Sequence, residues 1–256
     1  MSRFHQLIII YSLIIGVLLT ADWWWEIPVT AYILITSLVI LILFIGSASM
    51  SWNLYLKALT KGKNTEKKIA ITFDDGPHER TLKLLDVLKK YNVKATFFCI
   101  GKNIEKHPDI LKRIDLENHL IGNHTFSHSH FINFYGKKRL SEEIENTTLL
   151  IEKHIQKKTL IFRPPHGVTN PPLANSIRRL GLNVIGWSIR SFDTMKTFNS
   201  KLIDDLVTKI KPGSVLLLHD HIEKSDELLA GILDYALKNG YKCVGVDELF
   251  NINVYE

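Results

Sequence analysis

The chain has 256 residues, of which 46% are hydrophobic and 23% are charged, and its formal net charge is +6. This balance, with only 14 glycines and 8 prolines, excludes disordered, collagen-like and low-complexity classes. Two cysteines are too few for a disulfide scaffold or a Cys-rich zinc module. The length allows one domain of about 200 residues plus an appendage.

The first 56 residues have the composition of a membrane anchor. No charged residue occurs at 6–21 or 27–56, and three consecutive tryptophans lie between these stretches. A helix needs about 20 apolar residues to cross a bilayer, and tryptophan favours the membrane interface. We therefore predict a transmembrane hairpin with helices at about 6–25 and 28–48. A signal peptide is the alternative for the first helix, although bulky WWWEIP stands where a cleavage site needs small residues.

Basic residues flank the predicted hairpin at its two outer ends. Arg3 precedes the first helix, five lysines at 57–68 follow the second, and the loop between the helices carries only acidic charges. The positive-inside rule then places both ends and the C-terminal domain in the cytoplasm, as a two-pass integral membrane protein. If the first helix does not span, the second alone would place the domain outside.

Strands and helices alternate in residues 67–256, which we predict to be one domain behind a basic linker at 57–66. Near-continuous apolar strands are typical of a parallel sheet covered by helices, and seven such units fit either a (β/α) barrel or a doubly wound sheet. In both folds the chemistry lies at the carboxyl ends of the strands. The predicted strands are 67–73, 95–100, 119–123, 160–163, 183–188, 214–219 and 241–246. The predicted helices are 81–91, 108–116, 141–156, 171–180, 200–210 and 224–238.

Two adjacent carboxylates, Asp74 and Asp75, follow the first predicted strand and precede Gly76-Pro77. An ordinary Asp-Gly-Pro turn is one interpretation. Adjacent carboxylates beside a buried strand are otherwise unfavourable, because like charges repel and desolvation is costly. A bound cation changes this balance, since one carboxylate can ligate it while the other remains a base.

A histidine pair follows the third predicted strand, in the segment HTFSH at 124–128. Histidines four residues apart lie on one face of a helical turn, so His124 and His128 can share a metal ion. Together with Asp75 they offer two imidazoles and one carboxylate, which leaves positions open for water and substrate. His130 is a competing ligand, but its spacing from His124 suits a shared metal less well.

Two further polar segments follow later strands. In RPPHG, at 163–167, the prolines fix an extended turn, and the next backbone N–H, that of His166, can face a developing oxyanion. A rigid turn with a surface arginine is the alternative.

In LLLHD, at 216–220, His219 can act as a general acid near neutral pH, unless it only marks where a strand meets its loop. Asp193 is the predicted orienting carboxylate, and Asp220 and His221 are set aside because their side chains need not face the same pocket.

Taken in this order, TFDDGP, HTFSH, RPPHG and LLLHD resemble the motifs of the polysaccharide deacetylase family, the nodulation-type carbohydrate esterases. The resemblance covers roughly residues 66–250. It implies an α/β fold, a distorted (β/α)7 barrel, which agrees with the seven predicted units. It also implies a hydrolase that removes N-acetyl, O-acetyl or formyl groups from sugars. The implied cofactor is a divalent metal, usually Zn²⁺, with Co²⁺, Mn²⁺ or Ni²⁺ as alternatives.

The resemblance also implies a role for each motif residue. Asp75, His124 and His128 are the implied metal ligands. Asp74 is the implied base that takes a proton from water, and Arg163 tunes the acidic side of the pocket. The residues implied around the substrate are Pro165 and the backbone N–H of His166 at the oxyanion, Leu217 at the acetyl methyl group, His219 as the acid for the leaving amine, and Asp193 as its orienting partner.

This chain departs from the family pattern at two motifs. The fourth motif often reads Asp, two residues, then Asp-Trp; here Arg190 replaces the first Asp and Thr194 replaces the Trp, while Asp193 is retained. The frequent tyrosine of the third motif is His166, whose backbone role is retained. These departures leave substrate preference open. They also keep open a catalytically inactive, membrane-anchored glycan-binding protein on the same fold, and a hydrolase of a non-sugar amide.

The predicted partners are a membrane and an acetylated amino-sugar glycan. A cytoplasmic domain would reach a lipid-linked or soluble sugar intermediate, whereas an outward domain would reach peptidoglycan or a chitin-like polymer. Nucleic acid is not predicted, because the basic residues are scattered and no base-stacking motif accompanies them.

Overall fold

A computed structural model describes residues 2–63, 66–195 and 198–256. The appendage forms two long helices, α1 (Arg3–Trp25) and α2 (Val29–Ala48). Their mean hydropathies are 2.0 and 2.6, and their side chains are largely exposed, so both are long and apolar enough to span a bilayer. The same length and composition occur in signal sequences, so membrane insertion of this predicted hairpin stays a prediction.

The two helices form a hairpin whose free ends contact the segment that follows α2. The Phe4 N–H donates to the carbonyl oxygen of Leu54 at 2.9 Å, and Arg3 Nη1 donates to the carbonyl oxygen of Trp52 at 2.7 Å. Near the end of α2, the Leu54 side chain leaves no room for a β-carbon at Gly46. The end of α2 is also bonded to the domain, because the Ser47 hydroxyl donates to the Thr169 carbonyl oxygen at 2.6 Å.

Nine strands form a sheet in which every strand pairing is parallel, within the residues that the structure describes. The strands are β1 (Ala58–Leu59), β2 (Lys68–Asp74), β3 (Thr96–Cys99), β4 (Leu120–Asn123), β5 (Ile161–Phe162), β6 (Asn183–Ile185), β7 (Ile189–Arg190), β8 (Val215–His219) and β9 (Lys242–Cys243). The order is β1-β6-β5-β4-β3-β2-β8-β7, and β9 also pairs with β2. Strands β2 to β6 follow one another without a reversal, and the late strand β8 lies beside β2. This winding is that of the predicted distorted barrel and not of a doubly wound sheet.

Helices cover the outside of the barrel and close one end of it. They are α3 (Thr81–Tyr91), α4 (Gly101–Lys106), α5 (Pro108–Leu116), α6 (Lys137–Ile155), α7 (Pro171–Leu180), α8 (Ser200–Val207), α9 (Ser225–Lys238) and α10 (Val246–Phe250). Helix α7 shows how the sequence sets such bounds. The Asn170 side chain accepts a hydrogen bond from the Leu173 N–H, Pro171 occupies the first position, and Gly181 ends the helix in a left-handed conformation.

Several elements differ from their predicted bounds. Helix α6 begins at Lys137 rather than at Ser141, because the Ser141 hydroxyl is buried against Ser176 instead of capping a helix end. Of the predicted strand at 183–188 only β6 (Asn183–Ile185) forms, and a separate strand, β7 (Ile189–Arg190), begins just after the predicted bounds. Strand β1 lies inside the predicted linker at 57–66 and pairs with β6. The division into anchor, linker and domain itself stays a prediction.

Alternation along β2 separates the apolar core from the polar interior of the barrel. Ile71 and Phe73 point outward into the cluster shared with the surrounding helices, while Ala70 belongs to a second apolar cluster that includes Val246 of α10. Thr72 and Asp74 share the face of Ala70 because side chains alternate along a strand. The barrel interior is thus apolar at the end closed by α10 and polar at the carboxyl ends of the strands.

Candidate active site

The first motif occupies the carboxyl end of β2. Parallel pairing with β8 places Asp74 beside His219 and Thr72 beside Leu217. Asp75 follows with a φ of 74°, and the Asn103 side chain donates to its backbone carbonyl oxygen at 2.6 Å. The chain turns sharply there, so the two adjacent carboxylates face different partners.

Arg163 lies at the centre of the barrel, fully buried, and holds one oxygen of Asp74. Its Nη1 donates to Asp74 Oδ1 and to Thr72 Oγ1, both at 2.7 Å. Its Nε and Nη2 donate to the carbonyl oxygens of Ile185 and Gly186 at 3.0 and 2.9 Å. The alternative of a surface arginine on a rigid turn is therefore wrong.

Asp74 and Arg163 form an ion pair that is buried from solvent. Burial raises the pKa of the Asp74 carboxyl, and the Arg163 guanidinium opposes that rise. Burial likewise lowers the pKa of Arg163, against the effect of Asp74. The guanidinium also stacks on the Phe98 ring at 4.1 Å, which fixes its plane. Because Arg163 occupies Oδ1, the second oxygen of Asp74 remains available to the site, 3.8 Å from Nε2 of His124.

Three side chains converge next to that oxygen. Oδ1 of Asp75 lies 3.5 Å from Nε2 of His124 and 3.4 Å from Nε2 of His128. Each residue of this group offers a ligand atom within 4.8 Å of the others. The sequence-predicted trio is thus brought together at the carboxyl ends of β2 and β4.

The donor set has the chemistry of a divalent cation site. Zinc ligands lie about 2.0–2.1 Å from the ion, and two such ligands at a tetrahedral angle are about 3.3–3.4 Å apart, close to the separations seen here. The Nδ1–H of His124 donates to the Arg163 carbonyl oxygen at 2.7 Å, which leaves the Nε2 lone pair free toward the site. Burial, reinforced by His128, lowers the pKa of His124 to about 3, so its imidazole is neutral as a ligand must be.

The segment that carries the two histidines is an irregular loop, so the expected helical turn is wrong. Thr125 and His128 have positive φ angles of 68° and 46°. The Asn123 side chain accepts the Thr125 N–H at 2.8 Å, and the Glu143 carboxylate accepts the Ser127 N–H at 2.7 Å. Side chains from β4 and α6 therefore shape the loop that brings the histidines together.

His219 faces the same opening from β8. Its Nδ1–H donates to Asp193 Oδ1 at 2.7 Å, and its backbone N–H donates to Asp193 Oδ2 at 2.9 Å. Burial lowers the pKa of His219, but the contact with Asp193, together with the charges of Asp74 and Asp75, outweighs it and the net shift is upward. Burial would raise the pKa of Asp193, yet the hydrogen bond from His219 makes the net shift downward. Nε2 of His219 is left free, 4.0 Å from Asp75 Oδ2.

The third motif borders the opening on the side of the histidine loop. Pro165 is buried, while His166 is exposed with a φ of 59°. The His166 ring lies 4.9 Å from that of His128 and is stacked on that of His130 at 6.3 Å. His130 therefore contacts His166 and is not part of the trio of converging ligand atoms. The buried Leu217 lies one strand position before Leu218 on β8 and pairs with Thr72.

Sequence reasoning set aside one side chain that the structure brings to the site. His221 Nδ1 lies 3.9 Å from Asp75 Oδ2 and has no hydrogen-bond partner within the described residues. The sequence did contain an indication of this position, because His221 is only two residues from the predicted acid His219. Asp220 does point elsewhere, accepting a hydrogen bond from Thr81 Oγ1 at 2.6 Å, and burial raises its pKa to about 7.

The altered fourth motif lies at the edge of the opening. The Arg190 guanidinium lies over the ring of Phe192 at 5.0 Å and near that of Trp187 at 5.9 Å. Thr194 is exposed. The substitutions therefore change the rim while the buried Asp193 keeps its contacts with His219.

Comparisons with known proteins agree with this architecture. A family model described as polysaccharide deacetylase matches residues 61–185. A peptidoglycan-N-acetylglucosamine deacetylase from Bacillus cereus is 35% identical over 195 residues, which cover 73% of this chain and 89% of the relative. A chitooligosaccharide deacetylase from Azorhizobium caulinodans is 34% identical over 161 residues, which cover 60% of this chain and 74% of the relative.

A solved structure extends the likeness to the fold. The crystal structure of a peptidoglycan N-acetylglucosamine deacetylase matches with a TM-score of 0.73 at 30% identity, covering 77% of this chain and 94% of the other. The matched region includes the parallel barrel. Four motifs in family order, one barrel opening that collects them, and relatives of this identity and coverage lead to one conclusion: the chain belongs to the polysaccharide deacetylase family, whose members are metal-dependent carbohydrate hydrolases that act on amide bonds.

Proposed function

We propose that this protein hydrolyses the N-acetyl group of an amino sugar, using Zn²⁺ held by Asp75, His124 and His128. The observation that carries the proposal is the convergence of these three ligand atoms within 4.8 Å of one another, with Asp74 on one side and His219 on the other. When bound, the cation would polarise the acetamide carbonyl and lower the pKa of water near it.

Asp74 is the proposed base. Its Oδ1 is occupied by Arg163, and its Oδ2 faces the ligand trio, so only one oxygen is placed to accept a proton from water. Arg163 would favour the ionised carboxylate and so oppose the rise in the pKa of Asp74 that burial causes. Through its carbonyl oxygen Arg163 also fixes the ring of His124, so one residue orients both the base and a ligand.

His219 is the proposed acid for the leaving amine. Its Nε2 opens on the site, and Asp193 holds the ring through Nδ1. An amide nitrogen is a poor leaving group, and a positioned acid typically contributes about 10²–10⁴ in rate by protonating it. Pro165 and the backbone N–H of His166 are proposed at the oxyanion, and Leu217 at the acetyl methyl group.

The proposed substrate is an N-acetylglucosamine-type sugar. The relatives are named for peptidoglycan N-acetylglucosamine and for chitooligosaccharides, and these substrates share an acetamido group on a hexose. Sugars that carry O-acetyl or formyl groups are the competing substrates to assay, because the same site chemistry would cleave these groups.

The α1–α2 hairpin is proposed to anchor the enzyme in a membrane. The basic residues at the domain-side ends of the hairpin favour a cytoplasmic domain, in which case a lipid-linked or soluble sugar intermediate is within reach. An outward domain would instead reach wall peptidoglycan. Reporter fusions at the C-terminus decide between these two faces, and therefore between the two substrate forms.

Acetate release tests the activity. Purified protein with Zn²⁺ is expected to release acetate from N-acetylglucosamine oligomers, and the Asp74→Asn and His219→Ala variants are expected to lose this activity. A wild-type protein that binds the oligomers but releases no acetate would overturn the proposal in favour of an inactive glycan-binding protein. Activity on non-sugar amides without activity on the oligomers would overturn the substrate class.

A further inference from the structure

The loop after the histidine motif carries two aromatic side chains that the proposed reaction does not use. We infer that Phe131 and Phe134, here called the aromatic rim, insert into the surface of an anionic lipid bilayer and hold the opening of the active site against it. This inference rests on the proposed membrane anchoring and adds a second contact between the catalytic domain and the membrane.

The aromatic rim is exposed while the backbone beneath it is held in place. Phe131 and Phe134 are 70% and 86% exposed. Between them Ile132 is 1% exposed and belongs to the apolar cluster that also contains Leu140 of α6. The segment forms a short 3₁₀ turn at Ile132–Phe134. One buried residue thus anchors a turn that presents two phenylalanines, an arrangement typical of an apolar contact surface.

Hydrogen bonds connect the aromatic rim to the end of the proposed membrane helix α2. The Asn170 side chain donates to the carbonyl oxygen of Asn133, which lies between the two phenylalanines, at 2.8 Å. The adjacent Thr169 N–H donates to the Ser47 carbonyl oxygen at 2.9 Å, and the Ser47 hydroxyl donates to the Thr169 carbonyl oxygen at 2.6 Å. Because Ser47 is the penultimate residue of α2, this chain of contacts brings the rim close to the level at which α2 leaves the bilayer.

A basic turn follows the aromatic rim directly. Lys137, Lys138 and Arg139 are all exposed. The Arg139 guanidinium lies over the Tyr135 ring at 3.6 Å and donates to its hydroxyl at 2.8 Å, so this charge is held close to the rim. Exposed aromatic residues next to clustered lysine and arginine are typical of segments that bind the surface of anionic membranes. This charge pattern selects a lipid surface as the partner.

The inferred contact places the active site at the membrane surface. The rim follows His128 and His130 in sequence, and His130 is stacked on His166 of the third motif. A rim inserted at the headgroup level would hold this side of the opening next to the lipid. The substrate within reach would then be a glycan segment close to the bilayer, such as the sugar of a lipid-linked intermediate or the membrane-proximal layer of a polymer.

Nitroxide labels in the full chain test the inference. Phe134→Cys and, as a control, Leu116→Cys are labelled in a Cys243→Ser background and placed in nanodiscs of anionic phospholipid; Cys99 is buried. Leu116 is 79% exposed at the end of α5, at the opposite end of the barrel from the opening. We expect several-fold fewer collisions of the label at 134 with an aqueous nickel chelate than of the label at 116. Zwitterionic lipid, or Lys137→Glu with Lys138→Glu, is expected to weaken this protection.

Two further readouts separate the ways in which the inference could fail. A label at Leu38→Cys within α2 reports on anchoring: if it is exposed to water, the anchoring and this inference both fail. If it is shielded but the label at 134 is as accessible as that at 116, the rim contact alone fails. A Phe131→Ser/Phe134→Ser variant with an unchanged KM for soluble N-acetylglucosamine oligomers supports the lipid role. A raised KM would assign the rim to sugar stacking and overturn the inference. Acetate release by the wild type reports on the proposed function independently of these labels.

Discussion

One carboxylate, Asp193, receives two hydrogen bonds from a single residue, His219: one from Nδ1–H at 2.7 Å and one from the backbone N–H at 2.9 Å. The contact holds the imidazole in place and favours its protonated form. Burial alone lowers the pKa of His219, and the contact with Asp193, helped by the charges of Asp74 and Asp75, makes the net shift upward.

Asp193→Asn is therefore expected to change the pH dependence of deacetylation. A general acid must be protonated, so activity is lost as the pH rises through the pKa of His219. Without the Asp193 carboxylate that pKa is expected to fall, so the alkaline limb of the kcat profile moves to lower pH. Asp204→Asn, which alters an exposed residue of α8, is the matched control and keeps the wild-type profile. An unchanged alkaline limb in Asp193→Asn would show that His219 is not the acid.

Arg163→Ala is expected to destabilise the fold strongly. It leaves the buried Asp74 carboxylate uncompensated, a change that typically costs about 3–5 kcal/mol of unfolding free energy. Adding Asp74→Asn removes the uncompensated charge, so the double variant loses less than the sum of the two single losses. Urea unfolding of the detergent-solubilised protein measures these values. The exposed control Arg178→Ala is expected to stay within about 0.5 kcal/mol of the wild type. Strict additivity would argue against the coupling of Asp74 and Arg163.

The ligand and base roles are separable by metal analysis. His124→Ala and His128→Ala are expected to lose bound Zn²⁺ together with activity. Asp74→Asn is expected to retain the metal and lose about 10²–10⁴ in rate, the usual contribution of a proton-transfer group. His154→Ala, on α6 away from the opening, serves as the histidine control. Full Zn²⁺ content in His124→Ala would remove that residue from the ligand set.

Gly167 tests the packing under the third motif. It has a φ of +71°, and a β-carbon there would lie 2.5 Å from Cη2 of Trp187. Gly181 has a similar φ of +66° with open space around it. Gly181→Ala is expected to cost about 1–2 kcal/mol through backbone strain alone. Gly167→Ala is expected to cost more and also to lower kcat/KM, because Trp187 must move. Equal changes in melting temperature for the two variants would show that Trp187 can move without a cost in stability, contrary to this prediction.

The sequence predicted the parts of the fold that rest on local patterns. Apolar runs located seven strand positions, and the helices predicted at 108–116 and 171–180 form with the same bounds. The α4 helix, the end of β6 at Ile185 and the separate strand β7 were missed. Short elements such as these depend on tertiary contacts, and the close packing of Gly186 against Thr60 and Met50 is not visible in a local pattern.

The sequence predicted which residues form the site, but it did not predict the backbone conformation or the depth of each of them. Residue types and order identified Asp75, His124 and His128, and the structure brings them together. The helical turn expected for the histidines was wrong, because Asn123 and Glu143 bind the loop backbone from other elements. The complete burial of Arg163 could not be predicted from the RPPHG segment either. Its hydrogen-bond partners come from β2 and from the end of β6, which only the curled sheet brings together.

Metal removal and restoration test the central claim most directly. The full chain is treated with a chelator, and acetate release from N-acetylglucosamine oligomers is followed as Zn²⁺ is added back. Activity is expected to vanish on chelation and to return in proportion to the first equivalent of bound Zn²⁺, whereas His128→Ala regains none. Deacetylation that persists in metal-free protein, or that returns in His128→Ala at one equivalent, would contradict the claim that Asp75, His124 and His128 hold one catalytic cation.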